Sequence, residues 1–169
     1  MNDLSRLTAL CPPPVMRPPR AEGWAGLPKS HAEMVRVYGV GCFDGLLTVY
    51  GVGVGNMYLE ISDCTARSTG ILAGKRIPAL RARLSEFGVG PEELIQWGGT
   101  ANADWLFWIP AGEPDSWPTI IVEAGQLSFE VLHRPSPGVV LDLLTGSFST
   151  PIFPCDFPSG HPAFGPFTQ

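Results

Sequence analysis

Long apolar runs are missing from this chain of 169 residues. No stretch of about 18 uncharged apolar residues occurs, so no membrane-spanning helix is expected. The first thirty positions also lack the compact apolar core of a secretion signal, being broken by Pro12, Pro13, Pro14, Pro18 and Pro19. The expected location is therefore cytoplasmic. Cysteine is sparse, and Cys11, Cys42, Cys64 and Cys155 are spread singly, without a CxxC pair or a histidine placed near a second ligand. Neither a zinc site nor a disulfide framework is signalled, and no metal or cofactor is expected. Charged residues make up only 16% of the chain against 44% hydrophobic, which excludes a disordered acidic tail and a surface-rich coiled coil. No repeat of fixed period is present.

Positive charge is nearly absent from the second half. Residues 1–85 carry ten Lys or Arg against six Asp or Glu, a net +4, whereas residues 86–169 carry Arg134 alone against ten acids, a net −9. That asymmetry argues against a nucleic-acid surface in the second half and would attract a basic partner if the acids share a face. The alternative is an ordinary solvated acidic surface.

Glycine and proline are abundant instead, 20 and 18 residues, which predicts short elements and many turns. Residues 1–23 read as a proline-rich flexible leader, extended or disordered and outside the fold, with residues 24–169 as the single domain. A ligand for a proline-reading module is the alternative reading of that leader. A helix opens at Leu27-Pro28, with Met34, Val35 and Tyr38 on one side and Gly39 ending it. The glycine-spaced run from 39 to 55 predicts strand, turn, strand. From Met57 to Phe87 the pattern turns helical. It is clearest where Pro78 starts a segment with Ile77, Leu80, Leu84 and Phe87 on one stripe and Arg76, Arg81 and Arg83 outside it, ending at Gly88. A basic helix for phosphate contact is the competing reading.

The remainder is strand-rich. Leu94–Trp97 and Asp104–Ile109 are dense in aromatic and aliphatic side chains, and WLFWI has no polar alternate, as in a strand covered on both faces. Thr119–Glu123 and Leu127–His133 form a predicted hairpin around Ala124-Gly125-Gln126, the second strand having one buried and one wet face. Ser136 is the expected N-cap of a helix with Pro137 in its first position and Gly146 at its end. The closing segment from Ser149 has a proline every few residues; it is expected to be irregular, with its phenyl rings buried over the core edge.

Familiar catalytic patterns fail on inspection. Gly51, Gly53 and Gly55 place the third glycine one position early for GxGxxG, and no acid follows about twenty residues on. GILAGKR at 70–76 is one residue short of a phosphate-binding loop and has Arg76 where Ser or Thr must hold magnesium. His31, His133 and His161 lie far apart, with no nucleophile motif or clustered acid beside them. Paired carboxylates such as Asp104 and Glu130 meeting across strands would keep a small hydrolase open.

The run Leu27-Pro28, a helix into Tyr38-Gly39-Val40-Gly41, then WGGTANADWLFW (97–108), EPDSWPTIIVE (113–123), a strand and the VLDLLTG helix (140–146) resembles the SUKH superfamily. That family is named after a yeast cell-wall-synthesis regulator. The resemblance spans roughly 24 to 158 and departs at Ala103, where glycine is expected; the turn there must avoid positive φ or bear strain. It implies an α+β domain, an antiparallel sheet flanked by helices, without catalytic machinery. It further implies an immunity protein that binds and neutralises a toxin, often a nuclease. A scaffold or regulator of the same fold is the alternative. The candidate partner-binding residues are the acids Asp104, Glu113, Asp115, Glu123 and Glu130, with Trp117 as an aromatic anchor. The expected partner is a basic toxin domain, with neither nucleic acid nor membrane involved. For Trp117, which precedes Pro118 at a strand entrance, the competing reading is a core position.

Overall fold

The computed structural model describes residues 1–15 and 22–167. Among the described residues five helices flank one seven-stranded antiparallel sheet, so the chain is an α+β protein with a sheet flanked by helices. The strands are β1 (Gly41–Phe43), β2 (Leu47–Val49), β3 (Ile95–Thr100), β4 (Trp105–Trp108), β5 (Thr119–Val122), β6 (Phe129–Leu132) and β7 (Phe164–Pro166). Their order is β6-β5-β4-β3-β2-β1-β7. Six strands therefore form a simple meander, and β7 returns to pair with β1 at the far edge.

Alternation along the interior strands sorts side chains to two cores. Leu106 and Trp108 join Trp97, Ile121 and Leu132 on one face, under helices α1 (Asp3–Leu10), α2 (Lys29–Tyr38) and α5 (Ser136–Thr145). Phe107 and Ile109 join Ile120 and Val122 on the other, under α3 (Ile61–Lys75) and α4 (Pro78–Ser85). β4 is thus covered on both sides, as its unbroken apolar sequence requires.

The helical stretch from Met57 divides because Arg76 takes a left-handed conformation (φ 50°), after which Ile77 and Pro78 open α4. Gly39 ends α2 at φ 80°, and Gly146 ends α5 in a left-handed cap. Ala103 also sits at positive φ (67°), so the turn into β4 bears the strain rather than avoiding it.

Four expectations of the fold need correction. The first concerns the leader. Residues 3–10 are helical, capped by the Asn2 carboxamide, which accepts from the Ser5 N–H at 2.8 Å. Leu7 and Cys11 are fully buried, and the Tyr38 hydroxyl donates to the Cys11 carbonyl at 2.6 Å. Burial pushes both the Tyr38 phenol and the Cys11 thiol up. Helix α1 packs on α5, where Gly138 allows the approach: a β-carbon there would lie 2.8 Å from Asp3 Oδ2. The rest of the leader reading, at residues 16–21, lies outside the described residues.

The second correction is the closing segment, which is not wholly irregular. Residues 164–166 form an edge strand, a position that tolerates Pro166 because its missing N–H would face outward. Of its aromatic rings Phe153 is buried, whereas Phe167 is exposed. Third, β6 is not simply half wet: Leu132 on its polar side enters the main core, and Leu127 at its approach is 91% exposed.

Fourth, Ser136 is the first residue of α5 and not its cap, because its hydroxyl is committed elsewhere. His31 Nε2 lies 2.9 Å from the Tyr50 carbonyl, which can only accept, so Nε2 carries the proton. Nδ1 then accepts from the Ser136 hydroxyl at 2.7 Å. His31 is enclosed by Trp24, Trp97 and Trp108, with ring centroids 5.7, 5.5 and 4.9 Å away.

Candidate functional site

The six residues singled out in the sequence do not share a face. Asp104 and Glu123 lie at one end of the sheet, beside the β3–β4 turn and the end of β5. Glu113, Asp115 and Trp117 lie at the opposite end, in the β4–β5 connection, and Glu130 sits on edge strand β6.

Most of them are occupied by the fold itself. Asp104 is buried; its carboxylate accepts from the Thr100 hydroxyl at 2.6 Å and the Ala124 N–H at 3.0 Å, clamping the strained turn around Ala103 onto β5. Asp115 accepts from the Ser30 N–H at 2.9 Å and caps α2 from 85 residues away. Desolvation pushes its carboxyl up, but hydrogen bonding from Ser30 and the Lys29 amide, together with the Lys29 charge, outweighs that and holds it below the usual range. Glu123 accepts from the Ser128 hydroxyl at 2.7 Å. Trp117 is buried, its indole N–H donating to the Gly112 carbonyl at 2.9 Å and its ring 6.2 Å from Trp108. It is a core residue rather than an exposed anchor. Glu113 is exposed.

Asp104→Ala therefore tests a structural role. It removes a charged acceptor and leaves the Ala124 N–H unpaired, so it should lower the unfolding free energy by about 2 kcal/mol. Urea denaturation reads this directly, and a change within 0.5 kcal/mol would show that the clamp contributes nothing.

The glycine-rich loop after β2 also has an internal occupant. The Gly53 and Val54 amides donate to the two oxygens of Glu60, at 3.0 and 2.9 Å, with Gly53 and Gly55 at positive φ. This anion-binding loop holds the chain's own carboxylate. On the basic side, Arg83 pairs with Glu86 and lies over the Phe87 ring. Ser136 and His31 have the donor–acceptor arrangement of a nucleophile and base, but both are fully buried and the far nitrogen of the imidazole is taken by a backbone carbonyl. A substrate has no route to them. Among the described residues no three His, Cys, Asp or Glu side chains converge to hold a metal ion, and no helix is long and apolar enough to cross a membrane.

What remains open is a surface at the β6 end of the molecule. A groove of about 450 Å³ lies between Leu143 of α5 and the segment 148–158, lined by Phe148, Thr150, Phe153, Cys155 and Phe157. Phe153 and Phe157 meet edge to face at 5.6 Å, giving the groove an aromatic wall. The Thr150 hydroxyl donates to Glu130 at 2.8 Å, so this one predicted acid stands where the groove meets β6. Asp156, exposed, adds a second carboxylate within the same segment. The groove itself was not legible beforehand. Its only signal was Phe153 and Phe157 among prolines in the closing segment, which predicted buried rings but not a concavity.

Compared with protein-family models, curated proteins and solved structures, the chain matches none.

Proposed function

We propose that the chain is a non-enzymatic protein-binding module of SUKH type, an immunity protein that binds a basic toxin domain and neutralises it by covering its active surface. The observation that carries this reading is the aromatic-lined groove beside β6, an apolar concavity with Glu130 and Asp156 near it. Apolar centres with charged surroundings are what protein recognition uses: the centre supplies affinity, and the charges select and steer the partner. The net −9 of residues 86–169 adds a general long-range attraction for a cationic partner, but the acids are spread over both ends and one edge of the sheet, so the local pull is that of Glu130 and Asp156 alone.

The reading is tested by co-expression with the product of any adjoining gene that, expressed alone, arrests growth. Restored growth, together with a stable complex of the two purified proteins, is expected. Continued arrest with both proteins present and soluble would overturn immunity, and turnover of any substrate by the purified chain would overturn a purely binding role.

A further inference from the structure

The two edges of the sheet are finished differently. Hydrogen bonds from the Glu123 N–H to the Ser128 carbonyl and from the Ile109 N–H to the Pro118 carbonyl fix which residues bond across each strand pair. Residues 119, 121 and 123 face β6, and 120 and 122 face β4. On β6 the bonded positions are then Ser128, Glu130 and Leu132, so the backbone groups of Phe129 and Val131 point away from the sheet. Among the described residues neither has a hydrogen-bond partner there. The same reasoning on β7 leaves Phe164 and Pro166 outward, and Pro166 has no N–H to offer. One edge is blocked by proline. The other presents two N–H and two C=O groups in ladder spacing, with no proline, lysine or bulge to guard it.

We infer that the β6 edge binds an extended segment of another protein, added as an eighth strand through Phe129 and Val131, with a Lys or Arg opposite Glu130. This rests on the binding role proposed above and names the partner's local chemistry. Glu130 has one hydrogen bond, from Thr150, and no cationic partner among the described residues, so it retains acceptor capacity. A second copy of this chain fits poorly. Antiparallel bonding of Phe129 to Val131 of another copy, and the reverse, sets Glu130 directly opposite its own equivalent, where like charges repel. Side chains of the added strand on the Glu130 face lie on the side of the groove, because Thr150 belongs to both. Strand addition of this kind draws affinity from the main chain and selectivity from alternate side chains.

The probes are two pentapeptides, acetyl-Thr-Val-Lys-Val-Thr-amide and its Glu-centred counterpart, titrated to several millimolar into the full-length ¹⁵N-labelled chain. With the Lys peptide the Phe129 and Val131 amides should shift and exchange with solvent about tenfold more slowly. The Glu peptide should bind about tenfold more weakly, and Glu130→Lys should reverse that order. No response at these two amides, an equal response to both peptides, or protection of the same amides through self-association without peptide would each overturn the inference. Val131→Pro in the growth assay separates the two levels. Loss of rescue by this variant, with wild type rescuing, supports the edge. Equal rescue by both, the variant folding normally, refutes the edge and leaves immunity standing. If wild type fails to rescue, immunity falls and the peptide titration alone decides the edge.

Discussion

Acidification from pH 7.5 to pH 4 should remove about 3 kcal/mol of folding stability through His31 alone. Complete burial lowers its pKa from 6.5 to about 4, and the hydrogen bond to the Tyr50 carbonyl only partly offsets that. The sign follows from proton counting. Below pH 6.5 the unfolded chain binds a proton at this imidazole and the native chain does not, so stability falls as pH falls. The loss levels off below about pH 4, where both states are protonated. The fall from 6.5 to about 4, at about 1.4 kcal/mol per tenfold change in proton affinity, sets the magnitude. His31→Gln keeps a donor and an acceptor while removing the titration. Its unfolding free energy in urea should be lower at pH 7.5, because the tryptophan cage is tailored to an imidazole, yet should decline far less between pH 6.5 and pH 4.5. Parallel curves for the two proteins would mean that His31 is not buried in its neutral form.

Leu7→Ala is expected to destabilise the chain by about 3 kcal/mol, within the range for fully buried leucines. If residues 1–15 were a loose leader the cost would fall within 0.5 kcal/mol, as for an exposed position. Arg134→Ala is the useful contrast. Arg134 bridges Asp3 of α1, at 3.2 Å, and Asp142 of α5, at 3.0 Å, but its side chain is about one-third exposed. Exposed ion pairs contribute little, so this variant should lose under about 1 kcal/mol. Thermal and urea unfolding of the two variants would thus separate apolar docking of α1 from its electrostatic latch.

These two cases show what the sequence held and what it withheld. Helix α1 is hidden behind the prolines that follow it: all five prolines of residues 1–23 lie at positions 12–19, and residues 1–10 contain none. A clue did exist in α5. Eight of its ten residues are buried, including Val139 and Val140 as well as Leu143 and Leu144. A helix so apolar all round needs cover on the side away from the sheet, and α1 supplies it. Strands β4, β5 and β6 were legible because they carry strong local patterns bounded by turn residues, although the faces of β6 were not. The site readings fared worse for a physical reason. Asp104, Asp115 and Glu123 anchor turns and a helix end, to partners 20, 85 and 5 residues away, and a carboxylate looks the same in sequence whether it binds a partner or the fold's own donors. Of the predicted acids only Glu130 adjoins the groove, and nothing local to it distinguishes it from the others.

The return of β7 to β1 has a consequence for biosynthesis. About 120 residues separate the two strands. At a translation rate of roughly 5–20 residues per second, β1 spends on the order of 6–24 s on a nascent chain before its neighbour has been made. During that interval β1 is an unguarded border able to pair with other emerging chains. Crowded polysomes should be where this protein is most vulnerable to aggregation, and Phe164, which packs on Tyr38 and Phe43 at 5.0 and 4.7 Å, is the residue whose arrival ends the exposure.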